Sequence, residues 1–241
     1  MRKYILLLLC ILTLALSGCG SKKDAAPADS GAEKTEQTDM KETAAEADKA
    51  QETAAEAGES EEQAVEQADE QSEELLSGEH HIVISVKDYG DISLTLDADA
   101  APITVTNFIG LAKSGFYDGL TFHRIIDGFM IQGGDPLGNG TGGAEKTIKG
   151  EFASNGVQNP IAHTEGVISM ARSQFKDSAS SQFFIMVGDA SYLDGEYAAF
   201  GHVTEGLDIV KKIAADAQPI DRNGTIPKEN QPVMEKVAVI D

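Results

Sequence analysis

The sequence predicts a single mainly β domain, a closed β structure with two helices, set behind an export signal and an acidic spacer. Three observations predict it. Short runs alternate apolar and polar residues with period two, and each ends in Gly, Pro, Asn, Asp or Ser. Only two stretches carry helical spacing. Residues 20–78 contain no aromatic residue and cannot build a core.

At the N-terminus Arg2 and Lys3 precede thirteen mostly apolar residues, Tyr4 to Leu16, and then Leu16-Ser17-Gly18-Cys19. Basic, then apolar, then small is the order of a secretory signal. Thirteen residues fall short of the roughly twenty that a permanent membrane helix needs. Residues 1–18 are therefore expected to be cleaved as a signal peptide, and Cys10 would leave with them. With no third cysteine, an internal disulfide is excluded. The LSGC quartet is similar to a bacterial lipobox. That resemblance implies that Cys19 becomes the acylated first residue, so the mature protein is extracytoplasmic and lipid-anchored to a bacterial membrane. One lipid chain anchors only marginally, so durable attachment implies multiple acylation.

Residues 19–78 read as an acidic Ala/Glu-rich low-complexity tether, with ETAAEA at both Glu42 and Glu52. Between Gly20 and Gly78, 18 acidic residues face 5 lysines, so more than half of the chain's net −21 belongs to the tether. The composition fits either a disordered linker or a partly helical spacer. No apolar a/d heptad runs through it, which argues against a coiled coil.

Residues 79–241 have the size of one ordinary domain. They carry 12 basic against 22 acidic residues, which excludes a basic nucleic-acid patch. HIVISVKDYGDISLTLDAD alternates on both sides of Tyr89 and Gly90, the pattern of a hairpin. Pro102 suits a first helical turn, and Ile103, Val105, Phe108, Ile109, Leu111 and Ala112 keep helical spacing until Gly115. Further strands are expected at Thr121–Ile126, Phe129–Gly133, Gly166–Ala171, Gln182–Val187 and Ala199–Val203. A second helix fits Leu207–Ala215 and a final strand Val233–Ile240.

Three blocks carry the chemistry: TFHRIIDGFMIQGGD from Thr121, VISMARSQFKDSASSQFFIM from Val167 and YLDGEYAAFGHV from Tyr192. The first sets one arginine among apolar and amide side chains with no nucleophile nearby, which points to a rotation and away from bond cleavage. Ser178, Ser180 and Ser181 lie in no GxSxG elbow. His123, His163 and His202 lack metal-ligand spacing, so no metal is expected. Gly138 to Gly143 satisfies GxGxxG without the strand and helix that a dinucleotide needs. A tight loop beside a groove is the better reading, and no cofactor is expected.

In this order the blocks resemble a cyclophilin, a peptidyl-prolyl cis-trans isomerase, from about His81 to Asp241. The resemblance implies an eight-stranded antiparallel β-barrel, closed on itself and capped by two helices. It also implies proline-containing polypeptide clients, here exported proteins folding near the membrane, and a monomer is expected. Rotation about X-Pro crosses about 18 to 20 kcal/mol because amide resonance is lost. A catalyst needs an apolar pocket for the proline ring and a donor for the twisted amide nitrogen. Arg124 matches the family's donor, with Phe129 and Gln132 beside it as catalytic positions. Met130, Phe184 and Leu193 match the proline pocket, Gln182 an amide that holds substrate backbone, and Ala171 a position that must stay small. Strand alternation sends Phe183 into the core, opposite Phe184. Two substrate-binding positions depart from many eukaryotic members: Tyr192 stands for tryptophan and Tyr197 for histidine. The first removes an indole donor associated with cyclosporin. A second reading stays open, a membrane-tethered peptide-binding or chaperone module with little isomerase activity.

Overall fold

The computed structural model describes residues 74–241. The expected signal peptide, the expected lipidation site Cys19 and most of the expected tether lie outside the described residues. Glu79–Val86 (β1) and Gly90–Asp97 (β2) form the expected hairpin, and Asp88 and Gly90 adopt positive φ in its turn. Just ahead of β1, the Leu76 N–H donates to Thr106 Oγ1 and the Gly78 N–H to Asp99 Oδ1. Pro102–Lys113 (α1) follows. Next come Phe122–Ile126 (β3), Met130–Gly133 (β4), Val167–Met170 (β5), Phe183–Met186 (β6), Ala199–Glu205 (β7), Leu207–Asp216 (α2) and Met234–Val239 (β8). Each falls within two residues of the range that the sequence predicts.

Helix α1 has no side-chain cap of its own and no acid in its first turn. Glu151, from a distant loop, supplies both. Its carboxylate accepts the Ile103 and Thr104 N–H groups at 3.0 and 2.8 Å and the Thr104 hydroxyl at 2.7 Å. Orphan N–H donors and the helix dipole both favour an anion at that end.

The eight strands form one antiparallel sheet in the order β3-β4-β6-β5-β7-β2-β1-β8. The closed barrel expected from the resemblance is not formed. The sheet curls into a half-barrel whose edge strands, β3 and β8, share no ladder. They meet only at the Thr121–Val233 bridge and its neighbours, where Phe122 N donates to Pro232 O and Met234 N to Leu120 O. Two features prevent closure. Pro232 has no N–H to extend the pairing, and the 220–226 loop occupies the rest of the β3 edge. That loop bridges Thr225 to Arg124, accepts Ile125 N at Gly224 O and gives Ile226 N to His123 O.

Strand alternation divides the apolar residues between two clusters. Phe183 and Ile185 join the main core, where Phe183 stands edge-on to Phe108, Tyr117 and Phe122. Phe184 and Met186 face the other way, into a smaller cluster with Met130, Val167, Leu193 and Ala199. This second cluster is the floor of the site.

Candidate active site

Arg124 reaches that face because β3 bulges. Phe122 pairs with Gly133 and Arg124 with Gln132, which leaves His123 as an extra residue on β3. Phe122 points into the core, so simple alternation would send Arg124 inward too. The bulge shifts the phase by one and turns Arg124 outward beside Met130 and Gln132, as bulges next to functional sites do. The displaced His123 is buried with both ring nitrogens unpartnered, and burial lowers its pKa.

The guanidinium is held from two sides. Nε donates to Asn223 O at 2.7 Å, and Nη1 donates to Gln132 Oε1 at 3.1 Å and lies 3.7 Å from Met130 Sδ. Gln132 Nε2 donates to Gln182 Oε1 at 3.0 Å, and Gln182 Nε2 donates to Gly142 O at 2.6 Å. Each amide accepts on one side and donates on the other, so the relay fixes both amide orientations and the arginine with them. Burial lowers the pKa of Arg124, while Tyr197, Asp221 and Tyr192 pull it upward. Arginine stays charged throughout.

The relay ends on the glycine loop read from the sequence. Asp135 gathers this loop by accepting the N–H groups of Leu137, Asn139 and Gly140. A Cβ on Gly142 would collide with the Asp135 carboxylate, so the loop can pack this closely only without one.

Arg124 and Gln132 stand on the wall of an open cavity of about 240 Å³. Phe129, Met130, Phe184 and Leu193 give it an apolar lining, and Ala171, Arg172 and Tyr197 complete it. None of these is Ser, Cys, His, Asp or Glu. A second cavity of about 230 Å³ adjoins it, sharing Gln132, Ala171 and Arg172 and adding Gln182 and the 140–142 loop. The sequence-predicted positions thus gather around two neighbouring cavities, with one exception in placement. Tyr192 lines neither, is 70% exposed and stands over Phe129 at the rim, ring centroids 6.1 Å apart.

Sequence reasoning missed Arg172. Its guanidinium lies 4.7 Å from the Tyr197 ring and 5.1 Å from the Phe152 ring, and Nε and Nη2 both donate to Glu196 O. This cation forms the ridge between the two cavities. The available signal was a second arginine within the VISMARSQF run, directly after Ala171.

A fixed cationic donor over an apolar pocket is the arrangement of a site that seats an apolar group beside a hydrogen-bond acceptor. Comparison with known proteins gives the family: residues 81–239 match the profile described as cyclophilin type peptidyl-prolyl cis-trans isomerase/CLD, and the chain belongs to that family. It is 46% identical over 147 residues to a peptidyl-prolyl cis-trans isomerase of Helicobacter pylori, covering 60% of this chain and 86% of that one. It is 45% identical over 144 residues to peptidyl-prolyl cis-trans isomerase B of Bacillus subtilis, covering 60% and 92%. Among solved structures, a Cryptosporidium parvum cyclophilin type peptidyl-prolyl cis-trans isomerase with the dipeptide Ala-Pro aligns with TM-score 0.59 and 28% identity, over 67% of this chain and 99% of that one. The chain is thus a cyclophilin-type peptidyl-prolyl cis-trans isomerase.

Proposed function

We propose that the domain accelerates X-Pro rotation by seating the proline ring on Phe129, Met130, Phe184 and Leu193 while Arg124 donates to the nitrogen of the twisted amide. A planar amide nitrogen is a poor acceptor. In the twisted state its lone pair localises, so a donor placed there stabilises the transition state selectively. The observation that carries this reading is the Gln182–Gln132–Arg124 relay, which holds the donor in place over an open apolar pocket. No covalent intermediate is needed.

Clients would be exported proteins folding beside the membrane to which Cys19 anchors the chain. Unassisted isomerisation takes tens to hundreds of seconds, slow enough to limit folding there. In the full chain, Arg124→Ala should cost about 2 to 4 kcal/mol of transition-state stabilisation by analogy with loss of an oxyanion donor, roughly 30- to 900-fold in rate. Equal rates for the two proteins would favour the tethered binding module instead. Cys19→Ala should move the protein from the membrane to the soluble fraction, and retention on the membrane would refute the lipid anchor.

A further inference from the structure

Beneath the apolar pocket lies a buried polar chain that the reaction does not use. His163 is 1% exposed, and both of its ring nitrogens are engaged. Nδ1 lies 2.9 Å from Asp194 Oδ1 and Nε2 lies 3.0 Å from Ser169 Oγ. Asp194 Oδ1 also accepts the His163 N–H at 2.7 Å, and Ala190 N donates to His163 O at 2.8 Å. The imidazole stacks on Phe184, centroids 6.0 Å apart and planes 19° apart. A carboxylate can only accept, so Nδ1 carries the proton and Nε2 accepts from the Ser169 hydroxyl.

Ser, His and Asp in this sequence of contacts have the order of a hydrolytic relay. Here that chemistry is excluded: Ser169 is 0% exposed within β5, and its hydroxyl points at the imidazole. The chain joins parts of the pocket instead. Asp194 directly follows Leu193, whose side chain lines the cavity, while Ser169 pairs with Phe184 across the β5–β6 ladder. One imidazole therefore backs one wall and tethers the turn that carries another.

We propose that His163 is a positioning residue that sets the shape of the proline pocket, backing Phe184 and holding the Leu193 turn through Asp194, and so governs substrate binding while leaving the rotation step to Arg124. The inference rests on the isomerase reading of the site. Asp194 is the charged group that faces His163. Glu165, two residues away, pairs with Lys211, Asp189 accepts Glu165 N, and Ser169 and Phe184 supply uncharged contacts from β5 and β6. A proton on Nε2 would turn the acceptor of the Ser169 hydroxyl into a second donor. Burial supports the neutral form by lowering the His163 pKa, with Asp194 opposing it.

The test measures kcat and KM on an X-Pro peptide for the full chain, His163→Phe, His163→Asn and Asp194→Ala. His163→Phe keeps a ring against Phe184 and loses both hydrogen bonds. It should raise KM about tenfold, the scale of one lost hydrogen bond, with kcat within about twofold. His163→Asn places an amide N–H where Nδ1 stands, so it should restore KM to within about threefold of the parent by keeping the bond to Asp194. If His163→Phe does not fold, Asp194→Ala, which removes the acceptor of both His163 N–H groups, must raise KM in the same direction. An unchanged KM in His163→Phe, or a His163→Asn as impaired as His163→Phe, overturns the proposal. If the parent chain does not turn over, the isomerase reading fails. Peptide Kd for the same variants then decides on His163 alone.

Discussion

Gln132→Ala removes the centre of the relay and gives the most informative single perturbation after Arg124 itself. Arg124 loses the acceptor of its Nη1 at 3.1 Å and keeps only Asn223 O at 2.7 Å, while Gln182 loses the donor that fixes its amide. A hydrogen bond to a charged group contributes about 1.5 to 3 kcal/mol when buried, and the half-buried setting of this pair selects the lower end. The expected loss is therefore about 1.5 kcal/mol in kcat/KM, roughly tenfold. Because Gln132 holds the donor as well as lining the pocket, most of the loss should fall on kcat. Gln132→Glu separates the two halves of the relay: a carboxylate still accepts from Arg124 but cannot donate to Gln182. It should recover most of kcat. The assay follows cis-to-trans conversion of a short X-Pro peptide over a range of concentrations, with thermal unfolding as the control for folding. A Gln132→Ala protein within twofold of the parent in kcat/KM would refute the claim that the relay positions the arginine.

Other outcomes follow from the same geometry. Glu151→Ala strands two helix N–H groups and a buried hydroxyl, and should destabilise the domain by about 3 kcal/mol, read as a Tm lower by roughly 6 to 12 °C, with kcat/KM at permissive temperature nearly unchanged. An added Cβ at Gly224, where φ is +86°, would stand 2.5 Å from Ile126 Cγ1 and 2.6 Å from Ile125 O, so Gly224→Ala must displace the loop that holds Arg124 and should lower kcat. Unchanged kcat there would remove the 220–226 loop from the account. The buried His123 and His163 have lowered pKa values, so as pH falls below about 6.5 the unfolded chain takes up protons that the folded chain does not. Stability should therefore fall from pH 7 toward pH 5, seen as a lower denaturant midpoint, and a midpoint unchanged over that range would contradict the burial of these two rings. Between about pH 6 and 8.5, kcat should stay nearly flat, since Arg124 keeps its charge; a bell-shaped kcat profile would indicate acid–base catalysis instead.

Local patterns in the sequence placed the elements well. Pro102 and Gly115 bracket α1, and the alternation that sends Phe183 inward and Phe184 outward fixes the pocket wall. What local pattern could not supply is contact between distant segments. Glu151 caps α1 from nearly fifty residues away, and Asp194 meets His163 across 31 residues, with no periodic signal for either. The bulge at His123 is a one-residue insertion in a ladder whose partner strand the sequence does not identify, yet it decides the direction of Arg124. The failure of β3 and β8 to pair depends likewise on where the 220–226 loop lies, a property of the folded chain. The pocket residues were legible chiefly because three ungapped blocks resemble a known family. Without that resemblance Arg124 would read as an ordinary strand-edge arginine.

Arg124→Lys separates the geometry of the Arg124 N–H groups from its charge. Lysine keeps the positive charge but cannot donate to Asn223 O and Gln132 Oε1 while also approaching a substrate nitrogen. If the N–H geometry carries the rate, the lysine variant should bind an X-Pro peptide with nearly parental affinity yet exchange its cis and trans forms at least roughly 30-fold more slowly, close to the alanine variant. Exchange within about threefold of the parent would contradict it, leaving charge or the apolar pocket as the source of catalysis.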